Sequence, residues 1–154
     1  MEYQVRDARI TDVDRITTLL HSAALDTGDS GAPLGSADLL RQLVYLPQAV
    51  VLVAESRRII VGATVLALRP SVRQGGFVGT LDVIVVQPEY EAAGVIDSLV
   101  AEALRSARNK GCVAVEAAMP DDPGERSRWA GYGFVEAGPH LVRELAPMGA
   151  ARRG

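Results

Sequence analysis

One carboxylate, Asp82, interrupts the apolar run from Phe77 to Val86. A carboxylate buried in an apolar strand is a candidate proton acceptor, because burial penalises its charged form and raises its pKa. Alternation places it on the strand face of Ile84 and Val86. The rival reading is a partly exposed Asp paired with Arg69 or Arg73. Just downstream, Val86-Gln87-Pro88 leads through Glu89-Tyr90-Glu91 to the small residues Ala92, Ala93 and Gly94, ahead of a helical pattern. A helix start leaves backbone amides unpaired and carries partial positive charge, so a phosphate can dock there if the loop is slim. Ile96 is bulky for such a loop unless it packs into the core. Glu91 would repel an anion. Glu89 and Glu91 equally suit a helix start with nothing bound, since acids stabilise that end. Both readings stand on the sequence.

Two phenols, Tyr132 and Tyr90, can donate a proton, and each also reads as a packing residue. Trp129 offers only an indole N–H, which is no acid near neutral pH. His21 reads as a partly exposed structural histidine and His140 as solvent-exposed. Cys112, in Cys112-Val113-Ala114-Val115, reads as a small buried hydrophobe. As the single cysteine it excludes an intrachain disulfide. No His/Cys/Asp cluster has metal-ligand spacing, so no metal is expected. Gln74-Gly75-Gly76 lacks the Lys-Ser/Thr of a P-loop.

The scaffold for these residues is one domain. The chain has 154 residues, 48% hydrophobic and 23% charged, with a formal net charge of −3. That is a globular composition with no electrostatic pull toward nucleic acid or anionic membrane. The start has no signal-peptide pattern and no apolar run spans a bilayer, so the expected setting is soluble and cytoplasmic. Tyr3–Ala8 reads as a strand. Thr11 and Asp14 resemble a capping box opening a helix with Val13, Ile16, Leu19 and Leu20 on one face. A loop over Asp26–Gly35 and a second helix capped by Ser36 follow. Val50–Glu55 and Ile59–Leu68 form a hairpin around Ser56-Arg57-Arg58. Phe77–Val86 is a long strand, apolar on both faces at its end, as in the middle of a covered sheet. Ala92 to Ala107 is an amphipathic helix closed by Lys110-Gly111. Cys112–Met119 is a strand, Glu125–Tyr132 a short helix, and Phe134–Ala137 and Leu141–Leu145 two last strands. Strand, long helix, strand implies local parallel pairing. The domain is expected over residues 1–146, with a flexible tail over 147–154.

This order of elements is similar to that of the GCN5-related N-acetyltransferases (GNAT). Two landmarks carry the resemblance. In that family a strand ends in a Val-x-Pro step and enters a helix through Arg/Gln-x-x-Gly-x-Gly/Ala. Here Val86-Gln87-Pro88 matches the step, and Glu91-Ala92-Ala93-Gly94-Val95-Ile96 occupies the pattern, matching at Gly94 alone. Near the C-terminus the family often has a Tyr four residues before Gly-Phe, with an Asn seven residues earlier. Here Trp129 precedes Gly133-Phe134, and Asp122 holds the Asn position. The resemblance implies an α/β (α+β) GNAT-like fold, a mixed central sheet of six to seven strands with helices on both faces. It implies acetyl-CoA as co-substrate. The cofactor arm would be held by the backbone of Ile84, Val85 and Val86, its phosphates by the loop Glu91 to Ile96, with Asp122 and Trp129 at the second landmark. Asp82 would be the base and Tyr132 the proton donor. It implies acyl transfer to a small-molecule or protein amine bordered by Asp26–Gly35 and Arg69–Gly75, where Asp26 and Asp29 can attract a cation. A homodimer is a further expectation. The departures at Glu91, Ile96 and Trp129 leave open an alternative: a catalytically degenerate binding or regulatory module.

Overall fold

Branched apolar residues on both faces of consecutive strands demand cover on both sides, and the computed structural model, which describes residues 2–25, 35–138, 141 and 143, supplies it. Five strands, β1 (Gln4–Asp7), β2 (Ala49–Ser56), β3 (Ile59–Ser71), β4 (Gly76–Val86) and β5 (Cys112–Ala117), pair in chain order. All pairs are antiparallel except β4 with β5, which is parallel. The helices are α1 (Val13–Ser22), α2 (Ser36–Leu43), α3 (Val95–Asn109) and α4 (Pro123–Gly131). Helices α1 and α2 cover one face, packing Ile16, Leu19, Leu20 and Leu40 on Val51, Val53, Ala63 and Val65. Helix α3 covers the other, setting Val95, Leu99 and Ala103 on Val50, Leu52, Val61 and Leu66. It crosses β3 closely at Gly62, where an added Cβ would lie 3.2 Å from Val95 Cγ1 and 3.3 Å from Leu99 Cδ1. No helix among the described residues is long and apolar enough to cross a membrane.

The expected elements recur with four corrections. Helix α1 is entered through a 3₁₀ turn, Ile10–Asp12, and the reciprocal contact lies two residues earlier than expected: the Arg9 N–H donates to Asp12 Oδ2 at 2.8 Å. Ser36 is the first helical residue of α2, and Gly35 is its cap. The phosphate-loop stretch Pro88–Ala93 is wound as a 3₁₀ helix, so α3 starts only at Val95. Finally, the sheet has five strands among the described residues because Phe134–Ala137 forms none. Phe134 instead packs edge-on against Trp129, ring centroids 5.0 Å apart. Most of the expected strand Leu141–Leu145 lies outside the described residues.

A charged cluster locks β1 to α1 and β2. Arg6 donates from Nη1 to Asp12 Oδ2 at 2.8 Å and from Nε to Glu55 Oε2 at 3.1 Å. The side chains of Arg6 and Asp12 are only 14% and 10% exposed. Burial alone would push the Asp12 carboxyl up. The bonds from the Arg6 guanidinium and the Arg9 amide outweigh it, and the carboxyl lies below its ordinary 3.8. A depressed carboxylate contributes stability that is fully present above the unfolded value and lost as pH falls through the folded one. Asp12→Asn is therefore expected to cost about 2–3 kcal/mol in urea titration at neutral pH, with the gap to the parent closing below about pH 3.8. The β2–β3 turn carries a second stability handle: Arg57 and Arg58 adopt φ of 51° and 66°. A two-residue hairpin with positive φ at both positions favours Asn-Gly, and non-glycine residues there are strained. Replacing the pair, Arg57→Asn with Arg58→Gly, should raise stability by about 1–2 kcal/mol, seen as a higher Tm.

Candidate active site

Strands β4 and β5 run together only from Phe77 opposite Cys112 to Leu81 opposite Ala117. Beyond that pair β5 ends, while β4 continues to Val86 with β3 as its one neighbour among the described strands. Asp82 marks the parting. In the β3–β4 register Val65 faces Val83 and Leu66 faces Leu81, so Asp82 is the extra residue of a β-bulge. A bulge breaks alternation and bends its strand. The consequence is visible in the core: Leu81 joins Ile84 and Val86 on the α3 face, and Val83 and Val85 turn to the α1 face. Asp82 belongs to neither layer and is exposed, which corrects the expectation of a buried carboxylate sharing a face with Ile84 and Val86. The alternative partner, Arg69, donates to Glu116 Oε1 at 3.2 Å.

The end of β4 is braced from both sides. The Gln87 N–H donates to Val61 O at 2.7 Å, and Arg15 of α1 donates to Gln87 Oε1 at 2.8 Å. Pro88 then opens the 3₁₀ helix, whose winding turns its amides inward onto carbonyls three residues back. Gly94, at φ 79°, breaks that helix from α3. Tyr3 fixes the break, its hydroxyl donating to Gly94 O at 3.0 Å and meeting Ser98 Oγ at 2.6 Å. Helix α3 has no side-chain cap, and its first internal bond is Ser98 N–H to Gly94 O. The amides of Val95, Ile96 and Asp97 precede that bond and are the donors this helix start offers.

A cleft of about 260 Å³ lies beside this helix start. Ile84, Val85 and Val86 form its floor, Glu91 and Ile96 one wall, Glu125, Arg128 and Trp129 of α4 the other, and Ala23 and Leu25 its end. Six of the residues expected from the sequence thus meet: Ile84, Val85, Val86, Glu91, Ile96 and Trp129. Ile96 does both things proposed for it, packing half-buried against the α3-side core while lining the cleft. Glu91 is exposed at the wall. Glu89, nearby, bonds its own amide and the Gln87 side chain, which hold its carboxyl below the usual range.

Other expected residues go elsewhere. The Val95 side chain is fully buried, and Ala93 packs half-buried on the same core, so only their backbone can serve a ligand. Ala92 ends within the 3₁₀ helix. Asp122 is the cap of α4, its Oδ2 accepting the Glu125 N–H at 3.0 Å. The Tyr132 hydroxyl donates to Asp97 Oδ1 in the first turn of α3. Burial, then that carboxylate, pushes the phenol well above its ordinary value, so Tyr132 ties α4 to α3 and is a poor proton donor. Tyr90 packs against the α3-side core. His21 is exposed, and His140, Asp26 and Asp29 lie outside the described residues. Burial pushes the Cys112 thiol up, which suits an inert side chain. Among the described residues no three His, Cys, Asp or Glu side chains gather as a metal site. Sequence reasoning missed Arg128 and Glu125. The signal was available: positions 125, 128 and 129 share one face of a helix on which Trp129 was already singled out.

These features fit an acyl-CoA. The unpaired edge and apolar floor of β4 suit an amide-bearing arm, and the uncapped start of α3 suits a diphosphate through its amides, with Glu91 as the opposing charge.

The Acetyltransferase (GNAT) family model matches residues 17–134. No curated protein matches. Solved structures share the fold. An acetyltransferase of Trypanosoma brucei superposes with a TM-score of 0.74 at 22% identity, covering 94% of this chain and 100% of that one. A transcriptional regulator from Bacillus halodurans C-125 gives 0.78 at 17%, with coverage of 94% and 100%. The aminoglycoside N-acetyltransferase AAC(6')-Iy in complex with CoA gives 0.73 at 18%, also covering 94% and 100%. With a family model spanning well over half of its length and this strand parting at its centre, the chain belongs to the GNAT family of acetyltransferases.

Proposed function

We propose that this protein transfers an acetyl group from acetyl-CoA to the primary amine of a small molecule or protein. The observation that carries the reading is the cleft at the parting of β4 from β5, floored by Ile84 to Val86 and closed by the start of α3. A thioester supplies the activated acyl group, and the new C–N bond replaces the C–S bond. The residues of the chain supply position and proton transfer. The unpaired backbone of β4 holds the arm, and confining two reactants in one cleft accounts for much of the acceleration such enzymes achieve. Asp82, exposed where the strands part, takes the proton of the acceptor ammonium directly or through water. With Tyr132 committed to Asp97, the sulfur leaves as a thiolate and takes up, through water, the second proton that the nitrogen sheds as the amide forms.

The second reading, a binding or regulatory module, draws on the wound loop Pro88–Ala93, on Glu91 in the cleft wall and on the tied Tyr132. Turnover separates the two. With acetyl-CoA and a panel of amines, thiol release is expected, and Asp82→Ala should lower it about 100-fold while leaving cofactor affinity unchanged. Release of no thiol from any amine, with acetyl-CoA bound, would favour the module. Binding is checked by calorimetry and thermal shift at millimolar acetyl-CoA, where a native-state ligand must raise Tm. No heat and no shift would remove the acetyl-CoA assignment altogether. Glu91→Gln should tighten binding about three- to tenfold, since like charges about 6 Å apart repel by roughly 3 kcal/mol at an effective dielectric of 20 before screening.

A further inference from the structure

The family pattern places a basic or amide residue where this chain has Glu91, so the start of α3 lacks a cation from its own loop. The cleft nevertheless contains one. Arg128, on the last turn of α4, lines it together with Glu91. It shares that lining with Ile96, in the first turn of α3. Tyr132, four residues on, bonds Asp97 in the first turn of α3. Arg126 is directed away, its Nε donating to Pro120 O at 2.7 Å. Among the described residues Arg128 bonds Glu125, one turn earlier on the same helix, with Nη1 3.2 Å from Oε1 and 3.4 Å from Oε2. Both side chains of that pair are more than a third exposed. Such a pair is weak and readily exchanged, whereas a guanidinium meets a phosphate through two parallel, charge-assisted hydrogen bonds.

Resting on the acetyl-CoA reading, we infer that Arg128 supplies from α4 the positive charge missing from the Glu91 loop, and that it binds the phosphates of the acyl donor across the mouth of the cleft. Glu125 holds the guanidinium in place and gives it up when a phosphate arrives. The three charged groups of the lining then divide their roles: Arg128 attracts the polyphosphate, and Glu91 and Glu125 weaken its hold. The Tyr132 phenol senses both Arg128 and Glu125, as three groups on one side of α4 do.

The test is calorimetric titration of the whole protein with CoA over a series of salt concentrations, with circular dichroism melting to check each variant's fold. Arg128→Gln should weaken CoA about tenfold and flatten the dependence of affinity on salt, because a phosphate contact is lost. Arg128→Lys, which keeps the charge but not the fork, should retain the salt slope and lose less affinity. Glu125→Gln should tighten CoA by freeing the guanidinium. Unchanged affinity and slope in Arg128→Gln would overturn the inference while leaving the acetyl-CoA reading intact, as would lower affinity with an unaltered slope, the mark of a structural loss. Failure of the parent protein to bind CoA would overturn both.

Discussion

The parting of β4 from β5 after Leu81 and Ala117 is the constraint on which the rest of the molecule turns. A parallel pair can be joined only by a crossover, and here the crossover is α3, which must leave the end of β4 and return to the start of β5. Its path is fixed by Val95 and Leu99, both fully buried, over the close approach at Gly62. Once α3 is anchored there, its first turn has to stand beside the last residues of β4. The bulge at Asp82 does the remaining work. It bends β4 out of register with its neighbour and brings Leu81, Ile84 and Val86 to one face, so the strand can leave β5 without losing its grip on α3. The open edge at the end of β4 follows from sheet geometry before any side-chain chemistry is considered.

The wall opposite α3 is held very differently. Helix α4 buries none of its residues. It is positioned by a cluster of rings, with Trp129 edge-on to both Tyr132 and Phe134 at centroid distances of 5.6 and 5.0 Å, and by the Tyr132–Asp97 hydrogen bond. An element with little burial and few anchors sits at the low end of local stability. One side of the cleft is therefore rigid core and the other a lightly tethered helix.

Much of this was legible in the sequence, and the gaps have physical causes. The strands β2 to β4 and helices α1 and α3 follow directly from apolar periodicity, and the strand–Pro88 step located the cleft floor. The bulge was invisible because Val83-Ile84-Val85-Val86 is apolar at every position, so a one-residue phase shift leaves no trace in the pattern. Asp82 was consequently assigned to the wrong face. The 3₁₀ winding of Pro88–Ala93 was missed because its residues also suit the first turn of a longer helix, and only the left-handed Gly94 separates the two. Phe134-Val135-Glu136-Ala137 alternates as a strand would, yet Phe134 is drawn to Trp129, a tertiary contact that local pattern cannot express. Asp122 was linked to the ligand by position, whereas Asp followed by Pro123 and, three residues on, Glu125 is a helix-cap signature that outweighs it.

The departures from the family pattern also acquire a different weight once placed in space. Read along the chain, Glu91, Ile96 and Trp129 look like three independent losses. In the fold Ile96 is accommodated by the core it packs on, and Trp129 completes the ring cluster that positions α4. Both line a cleft that keeps about 260 Å³ of open space. Of these three departures only Glu91 opposes an anion, by charge at an exposed position and not by bulk. Steric blockade is indifferent to the medium, but repulsion between exposed charges weakens within a Debye length of about 8 Å at physiological salt. An unfavourable charge of that kind tunes affinity without closing the site. For an anionic ligand in this cleft the balance of charge would fall to Glu91, Glu125 and Arg128, on a sheet whose parting would exist whatever those three residues were.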